Sequence, residues 1–233
     1  MVKFDKQDNN DCLTCKRRSG MFNLLSKEEL QVIRENRITI HYGVGEIIQK
    51  QGTSMTHVIS VNAGLVKLYL EGDSHSKTIL RIVTPTNFIG GPGIYFDQLH
   101  HFTVSAMKKT SVCFIELNAF KSILTQNTAF AAEFMKDFSK NVVSVYSRLI
   151  NISQKQLAGR VAFALLYLFE EVYESKTATI AVSKQDLADL SAISRDSAVK
   201  ILRDFQNEKL IRYTNHEVEI LNPETLRMIR SLS

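Results

Sequence analysis

Ser183-Lys184-Gln185-Asp186-Leu187-Ala188-Asp189-Leu190-Ser191-Ala192-Ile193-Ser194-Arg195-Asp196-Ser197-Ala198-Val199-Lys200-Ile201-Leu202 is the stretch on which the reading of this chain turns. Ser183 can accept from the free backbone amides of a first helical turn, so a helix starts there and buries Leu187 and Leu190. It stops at Ser191-Ala192-Ile193. Ser194 then caps a second helix, with Ala198, Ile201, Leu202 and Phe205 inside and Arg195, Asp196, Lys200 and Arg203 outside. Two short helices joined by a three-residue turn, the second opened by long polar side chains, suit a helix-turn-helix. The second helix of that motif sets its N-terminal residues in a DNA major groove. Arg195 offers a bidentate donor pair to a guanine edge, and Asp196 can accept from a cytosine amino group. Lys200, one turn on, reaches a base or a phosphate, and Lys184 at the first helix N-terminus suits the DNA backbone. Ser194, Ser197 and Arg203 complete the expected DNA-facing set.

Leu210 to Tyr213, a turn at Thr214-Asn215-His216, and Glu217 to Ile220 read as a β-hairpin that would form the wing of a winged helix. The alternative is a helical hairpin with an ordinary solvated charged face. Glu217 and Glu219 support it, because carboxylates are awkward beside phosphates unless they face away.

Charge does not decide between the two. The chain of 233 residues carries a net +5, yet from Lys155 onward 11 basic residues meet 11 acidic ones. The whole excess lies in residues 1–154, so DNA reading would rest on a few placed groups rather than on a basic half-molecule. With 44% hydrophobic and 23% charged residues the chain has a globular composition. Its longest apolar run, Val161 to Phe169, is far below the ~18 residues of a membrane helix. Met1 to Asp11 is polar and lacks the apolar core of a secretory signal, so a cytoplasmic protein with no membrane partner is expected. Three cysteines make a disulfide framework a poor expectation.

Upstream, Ser26-Lys27-Glu28-Glu29 has the form of a capping box opening a helix to about Asn36. From Ile38 to Glu116 the runs Thr56–Val61, Gly64–Leu70, Thr78–Val83 and Val104–Glu116 read as short strands punctuated by glycines, an antiparallel sandwich or barrel. From Asn127 to about Ser153 there is neither proline nor glycine, and apolar residues recur at helical spacing. One stripe is Phe134, Phe138, Val142, Val145, Leu149 and Ile152; a second is Ala131, Met135, Val143, Tyr146 and Ile150. A helix with two apolar faces must bury both, either inside one monomer or with one face against a copy of itself. A further helix is expected over Lys155–Tyr173.

The collinear order of these pieces resembles the transcription regulators related to the cyclic-AMP receptor protein and FNR, the Crp/Fnr family. The resemblance rests on Gly45-Glu46-Ile47-Ile48 with Gln51-Gly52, Ile59 to Val66 with Gly64, and Asn87-Phe88-Ile89-Gly90. It continues in Ala158-Gly159-Arg160-Val161-Ala162 with Leu165-Leu166, and in Ser183 to Leu202. It departs at Ala192, where the family's turn usually carries Gly. The resemblance implies an α+β fold: a cyclic-nucleotide-binding-like β-roll sensor over 1–126, a dimerisation helix over 127–153, and a C-terminal winged helix-turn-helix over 154–233. It also implies a homodimer on palindromic double-stranded DNA, contact with RNA polymerase, and no catalysis. A ligand-binding or interaction protein on the same scaffold that no longer reads DNA is the second reading.

The signal is the open part. The cyclic-AMP receptor holds its ligand with a Glu beside a glycine cluster, an Arg-Ser pair, and a Thr-Ser pair on the long helix. Here the matching places hold Gly90-Gly91-Pro92-Gly93, the His100-His101-Phe102 region with Thr103, and Val145-Tyr146. A buried phosphate needs a charge-assisted partner, so an effector other than cyclic AMP is expected there. FNR-like sensors bind an iron–sulfur cluster through N-terminal cysteines and one β-domain cysteine. Cys12, Cys15 and Cys113 match three of those positions and Met21 falls on the fourth, so a cluster is possible only with an incomplete set. Thiol chemistry at Cys15, which Lys16, Arg17 and Arg18 would favour, and plain structural cysteines are the alternatives.

Overall fold

The Ser26 hydroxyl accepts from the Glu29 amide at 3.2 Å, while the Glu29 carboxylate accepts from the Ser26 amide at 2.7 Å. This reciprocal cap opens α1 (Lys27–Glu35), whose Leu30 and Ile33 are buried. A 3-10 turn over Gly20–Leu24 precedes it. The computed structural model describes residues 15, 18–72, 76–174, 179–214 and 217–232.

The strands that follow are β1 (Arg37–Tyr42), β2 (Ile47–Gln49), β3 (His57–Ala63), β4 (Val66–Glu71), β5 (Lys77–Val83), β6 (Phe88–Ile89), β7 (Thr103–Ala106) and β8 (Thr110–Glu116). They form two four-stranded sheets, ordered β1-β8-β3-β6 and β2-β7-β4-β5. The long strand expected over Val104–Glu116 is in fact β7 and β8 with a turn between. Met107 donates to the Leu65 carbonyl at 2.7 Å, and the Thr110 hydroxyl closes on the Lys108 carbonyl at 2.7 Å. The chain thus changes sheets at Lys108-Lys109. Gly64, at φ +92°, faces this turn so closely that a Cβ would lie 2.5 Å from the Lys109 carbonyl.

Ile40, Ile59, Val61, Leu68, Val104 and Val112 pack in one cluster among the strands. A second cluster gathers Phe22, Ile33, Val58, Phe88 and Ile115 with residues of α2 (Leu117–Gln126) and α3 (Thr128–Gln154). Phe120 and Phe130 are fully buried there, each burial stabilising by about 1.5–3 kcal/mol.

Past α3 come α4 (Leu157–Tyr167), a π-helical turn over Leu168–Val172, and β9 (Thr179–Ala181). Then follow α5 (Lys184–Ser191), α6 (Arg195–Asn207), β10 (Ile211–Thr214), β11 (Glu217–Ile220) and α7 (Pro223–Leu232). The expected 155–173 helix therefore changes its winding at Leu168. The last three strands make a sheet ordered β10-β11-β9.

The chain divides into two compact units, one reaching to Leu70 and resuming over Arg81–Val143, the other made of Glu71–Leu80 and the chain from Ser144. The first contains the clusters above. The second is built on Val161, Leu165, Leu187, Leu190, Leu202, Phe205, Val218 and Leu226, all buried.

Candidate nucleic-acid interface and sensor sites

Ser183 and Ser194 each cap a helix. The Ser183 hydroxyl accepts from the Asp186 amide at 3.0 Å and donates to its carboxylate at 2.7 Å. The Ser194 hydroxyl accepts from the Ser197 amide at 3.1 Å and donates to the Ser197 hydroxyl at 2.8 Å. Between the helices Ala192 takes φ 51° and ψ 49°, the left-handed conformation that favours glycine and costs alanine about 1 kcal/mol. Its amide and that of Ile193 both close on the Ala188 carbonyl. The departure at Ala192 is thus accommodated with the turn intact.

Ala198, Ile201, Leu202 and Phe205 bury one side of α6. Arg195, Asp196, Lys200 and Arg203 are exposed, and Ser197 is half-buried. Lys184 is half-buried too, its ammonium 5.3 Å from the centre of the Tyr213 ring, a cation–π contact joining α5 to the wing. Beside α6 lies a cleft of about 590 Å³ lined by Lys155, Arg160, Ser197, Lys200 and Asp204. Three basic side chains therefore share one flank of the second helix.

Several acids of this neutral half are engaged elsewhere. Glu219, opposite Arg212 in the β10–β11 register, binds it at 2.6 Å. Glu170 binds Arg227 at 2.7 Å, and buried Asp189 accepts from Gln185 at 2.7 Å. The objection that Glu219 raises against a phosphate-facing wing is met by its partner. Glu217 stays exposed, and Asn215 and His216 of the expected turn lie outside the described residues.

Arg148 on α3 was not legible as a site residue. It is buried, its guanidinium donates to the Leu190 carbonyl in the last turn of α5, and burial lowers its pKa to about 10. It stays charged at neutral pH and holds the end of the first helix of the motif. Its partner lies 42 residues away, so no local pattern marks it.

In the first unit, Gly90, Gly91, Pro92 and Gly93 meet the 98–103 segment. Gln98 donates to the Gly93 carbonyl at 2.9 Å, and a Cβ on Gly93 would fall 2.0 Å from the Leu99 carbonyl. The Phe102 ring lies against Gly91, 3.3 Å from where a Cβ would be. Thr103 is fully buried and its hydroxyl accepts from the Gln51 amide at 3.1 Å. His101 pairs with Asp97 at 3.1 Å. Val145 and Tyr146 belong to the second unit.

His100 is 6% exposed, and its Nδ1 has no hydrogen-bond partner among the described residues. Burial, helped by neighbouring His101, holds the imidazole below its ordinary 6.5. Above pH 6.5 the ring is neutral folded or unfolded. As pH falls below 6.5 the unfolded chain takes the proton first, so stability is lost down through the folded pKa. Urea melts at pH 5.5 and 7.5 are expected to show this loss, and His100→Leu to reduce it. An unchanged slope in the variant would assign the effect to other groups.

Cys113 on β8 and Cys15 line one small cavity with Arg18, Arg37, Ser60 and Asn62. The Cys113 sulfur accepts from Asn62 Nδ2 at 3.0 Å and Arg37 Nη1 at 3.4 Å, and lies 3.4 Å from Thr39 Oγ1. Cys12 lies outside the described residues. Met21, at the position that would have to supply another thiolate, packs partly buried against the aromatic cluster. With three cysteines in the chain, a side-chain amide and a guanidinium already on one sulfur, and a cavity of about 20 Å³, the residues do not fit a [4Fe–4S] cluster. Among the described residues no three His, Cys, Asp or Glu side chains gather as a metal set, and no helix is long and apolar enough to cross a membrane.

The model of the cyclic nucleotide-binding domain family matches residues 39–127, and that of the Crp-like helix-turn-helix domain matches residues 159–229. The transcriptional activator protein Anr of Pseudomonas protegens is 22% identical over 77% of this chain and 75% of its own length. The HTH-type transcriptional regulator Cmr of Mycobacterium tuberculosis is 22% identical over 87% of this chain and 80% of its own. A crp/fnr-family regulator from Eubacterium rectale superposes with a TM-score of 0.75 at 23% identity, covering 91% of this chain and 98% of that one. With a β-sheet domain, a long helix and a capped helix-turn-helix in the same order, the chain belongs to the Crp/Fnr family of DNA-binding transcription regulators.

Proposed function

We propose that the protein acts as a symmetric homodimer that reads a palindromic DNA site through α6 and answers to an effector other than a cyclic nucleotide. The observation that carries the reading is the division of α6 into a buried side and an exposed one bearing Arg195, Asp196, Lys200 and Arg203. Arg195 and Asp196 stand in the first turn, where a major-groove helix meets base edges. Lys200, with Lys155 and Arg160 across the flanking cleft, suits the phosphates alongside. In this reading residues 1–126 sense, 127–153 join the protomers and 154–233 bind DNA, with RNA polymerase met from the bound dimer.

Dimerisation is supported by α3. Met135, Val143, Tyr146, Leu149 and Ile150 are more than half exposed in the single chain. Of the first stripe, Phe134 is buried but Leu149 is not, so the helix presents an apolar row that a second copy can cover. The effector reading is supported by Phe102 against Gly91 and by buried His100, whose imidazole is held neutral and whose Nδ1 has no hydrogen-bond partner among the described residues, where a phosphate would need a cationic clamp.

Selecting tight binders from a random DNA pool tests the function. The expected result is a two-fold symmetric pair of half-sites about one helical turn, ~10 bp, apart. Binding with no sequence preference, or only at single half-sites, would sink the reading.

A further inference from the structure

We propose that Cys113 is a peroxide-reactive thiol and that Cys15 resolves it to an intramolecular disulfide. The two residues are 98 positions apart in sequence, yet both line one cavity of about 20 Å³. That volume admits roughly one water-sized molecule, and hydrogen peroxide is little larger. The cavity is polar on one side. Asn62 and Arg37 donate to the Cys113 sulfur, which places donors around the atom that would carry an oxygen. Ser60 also lines it, is 2% exposed, and its hydroxyl has no hydrogen-bond partner among the described residues. A buried hydroxyl left unmatched costs free energy unless something in the cavity meets it. A small hydroperoxide supplies both a donor and an acceptor for it.

The chemistry balances with the hydroperoxide as oxidant. The Cys113 sulfur attacks one peroxide oxygen, the O–O bond breaks, and water (or an alcohol) leaves with the thiol proton, giving a sulfenic acid. The Cys15 sulfur then attacks the sulfenic sulfur, the S–O bond breaks, and a second water leaves as the disulfide forms. Two electrons pass from the thiol pair to the peroxide.

The tie would join the segment at Cys15 to β8. Seven residues on, Phe22 stacks on Phe130 of α3 with ring centres 6.2 Å apart and meets Phe88 edge-on at 4.9 Å. A covalent constraint at Cys15 therefore bears on the segment that packs against the start of the long helix.

The test is peroxide titration of the reduced full-length protein, with thiol counting and peptide mass mapping. Two of the three thiols should be lost, with Cys15 and Cys113 recovered in one disulfide-linked peptide pair. In Cys15→Ser a sulfenic acid at Cys113 should be trapped by a cyclic diketone, and in Cys113→Ser the peroxide-dependent loss of Cys15 should vanish. Asn62→Leu, which keeps both thiols, should slow the oxidation of Cys113. A Cys12–Cys15 or Cys12–Cys113 disulfide would overturn the proposal. So would a Cys113 that reacts no faster in the folded protein than in the same chain unfolded in guanidinium.

Discussion

A protein carrying Arg195→Ala and Lys200→Ala together should bind its selected palindrome far more weakly than the native chain and with less sequence preference. Both residues are exposed on α6, opposite Ala198, Ile201, Leu202 and Phe205, so their removal leaves the packing of the helix alone. A bidentate arginine–guanine pair is worth about 1–3 kcal/mol of discrimination. In a symmetric dimer each substitution acts at both half-sites, so Arg195 alone should cost about 2–6 kcal/mol, roughly thirtyfold to twenty-thousandfold in Kd. Lys200 should add a smaller, less selective loss and flatten the dependence of binding on salt, because fewer counterions are released. Fluorescence anisotropy at several salt concentrations measures both. If affinity, selectivity and salt slope all stay native, α6 does not read the DNA.

The second large effect is on assembly. Tyr146→Asp with Leu149→Asp should give a folded monomer. These side chains are 60% and 63% exposed in the single chain, so nothing within it depends on their burial. Across a two-fold seam each would be covered twice, and burying an aromatic or leucine side chain contributes about 1.5–3 kcal/mol. Four carboxylates in their place add repulsion and desolvation. A loss of at least about 4 kcal/mol, a thousandfold in dimer affinity, is the conservative expectation. Light scattering after gel filtration reads the mass, and circular dichroism shows whether the helices persist. A variant that stays dimeric would place the seam elsewhere. A folded monomer that also loses the palindrome would link assembly to DNA reading.

The parts of this molecule legible before folding are those decided over three or four residues. Ser26, Ser183 and Ser194 announce helix starts because the amides they satisfy lie one turn ahead. Leu187, Leu190, Ala198, Ile201, Leu202 and Phe205 announce a buried face because helical periodicity fixes which side chains point together. Even the strain at Ala192 follows from the turn between two capped helices.

What folding alone decided is the company each group keeps. Only the pairing of β8 with β1 and β3 brings Arg37 and Asn62, 76 and 51 residues distant, onto the Cys113 sulfur. The same holds for Arg148, which reaches the end of α5 across 42 residues of chain. Sequence patterning specifies elements because backbone hydrogen bonds and side-chain periodicity are local. A sulfur's donors or a carboxylate's counter-charge are set by contacts between distant segments, and no spacing along the chain encodes them. The twenty-residue helix-turn-helix over 183–202 was thus written in the sequence, while the surroundings of the Cys113 sulfur emerge only in three dimensions.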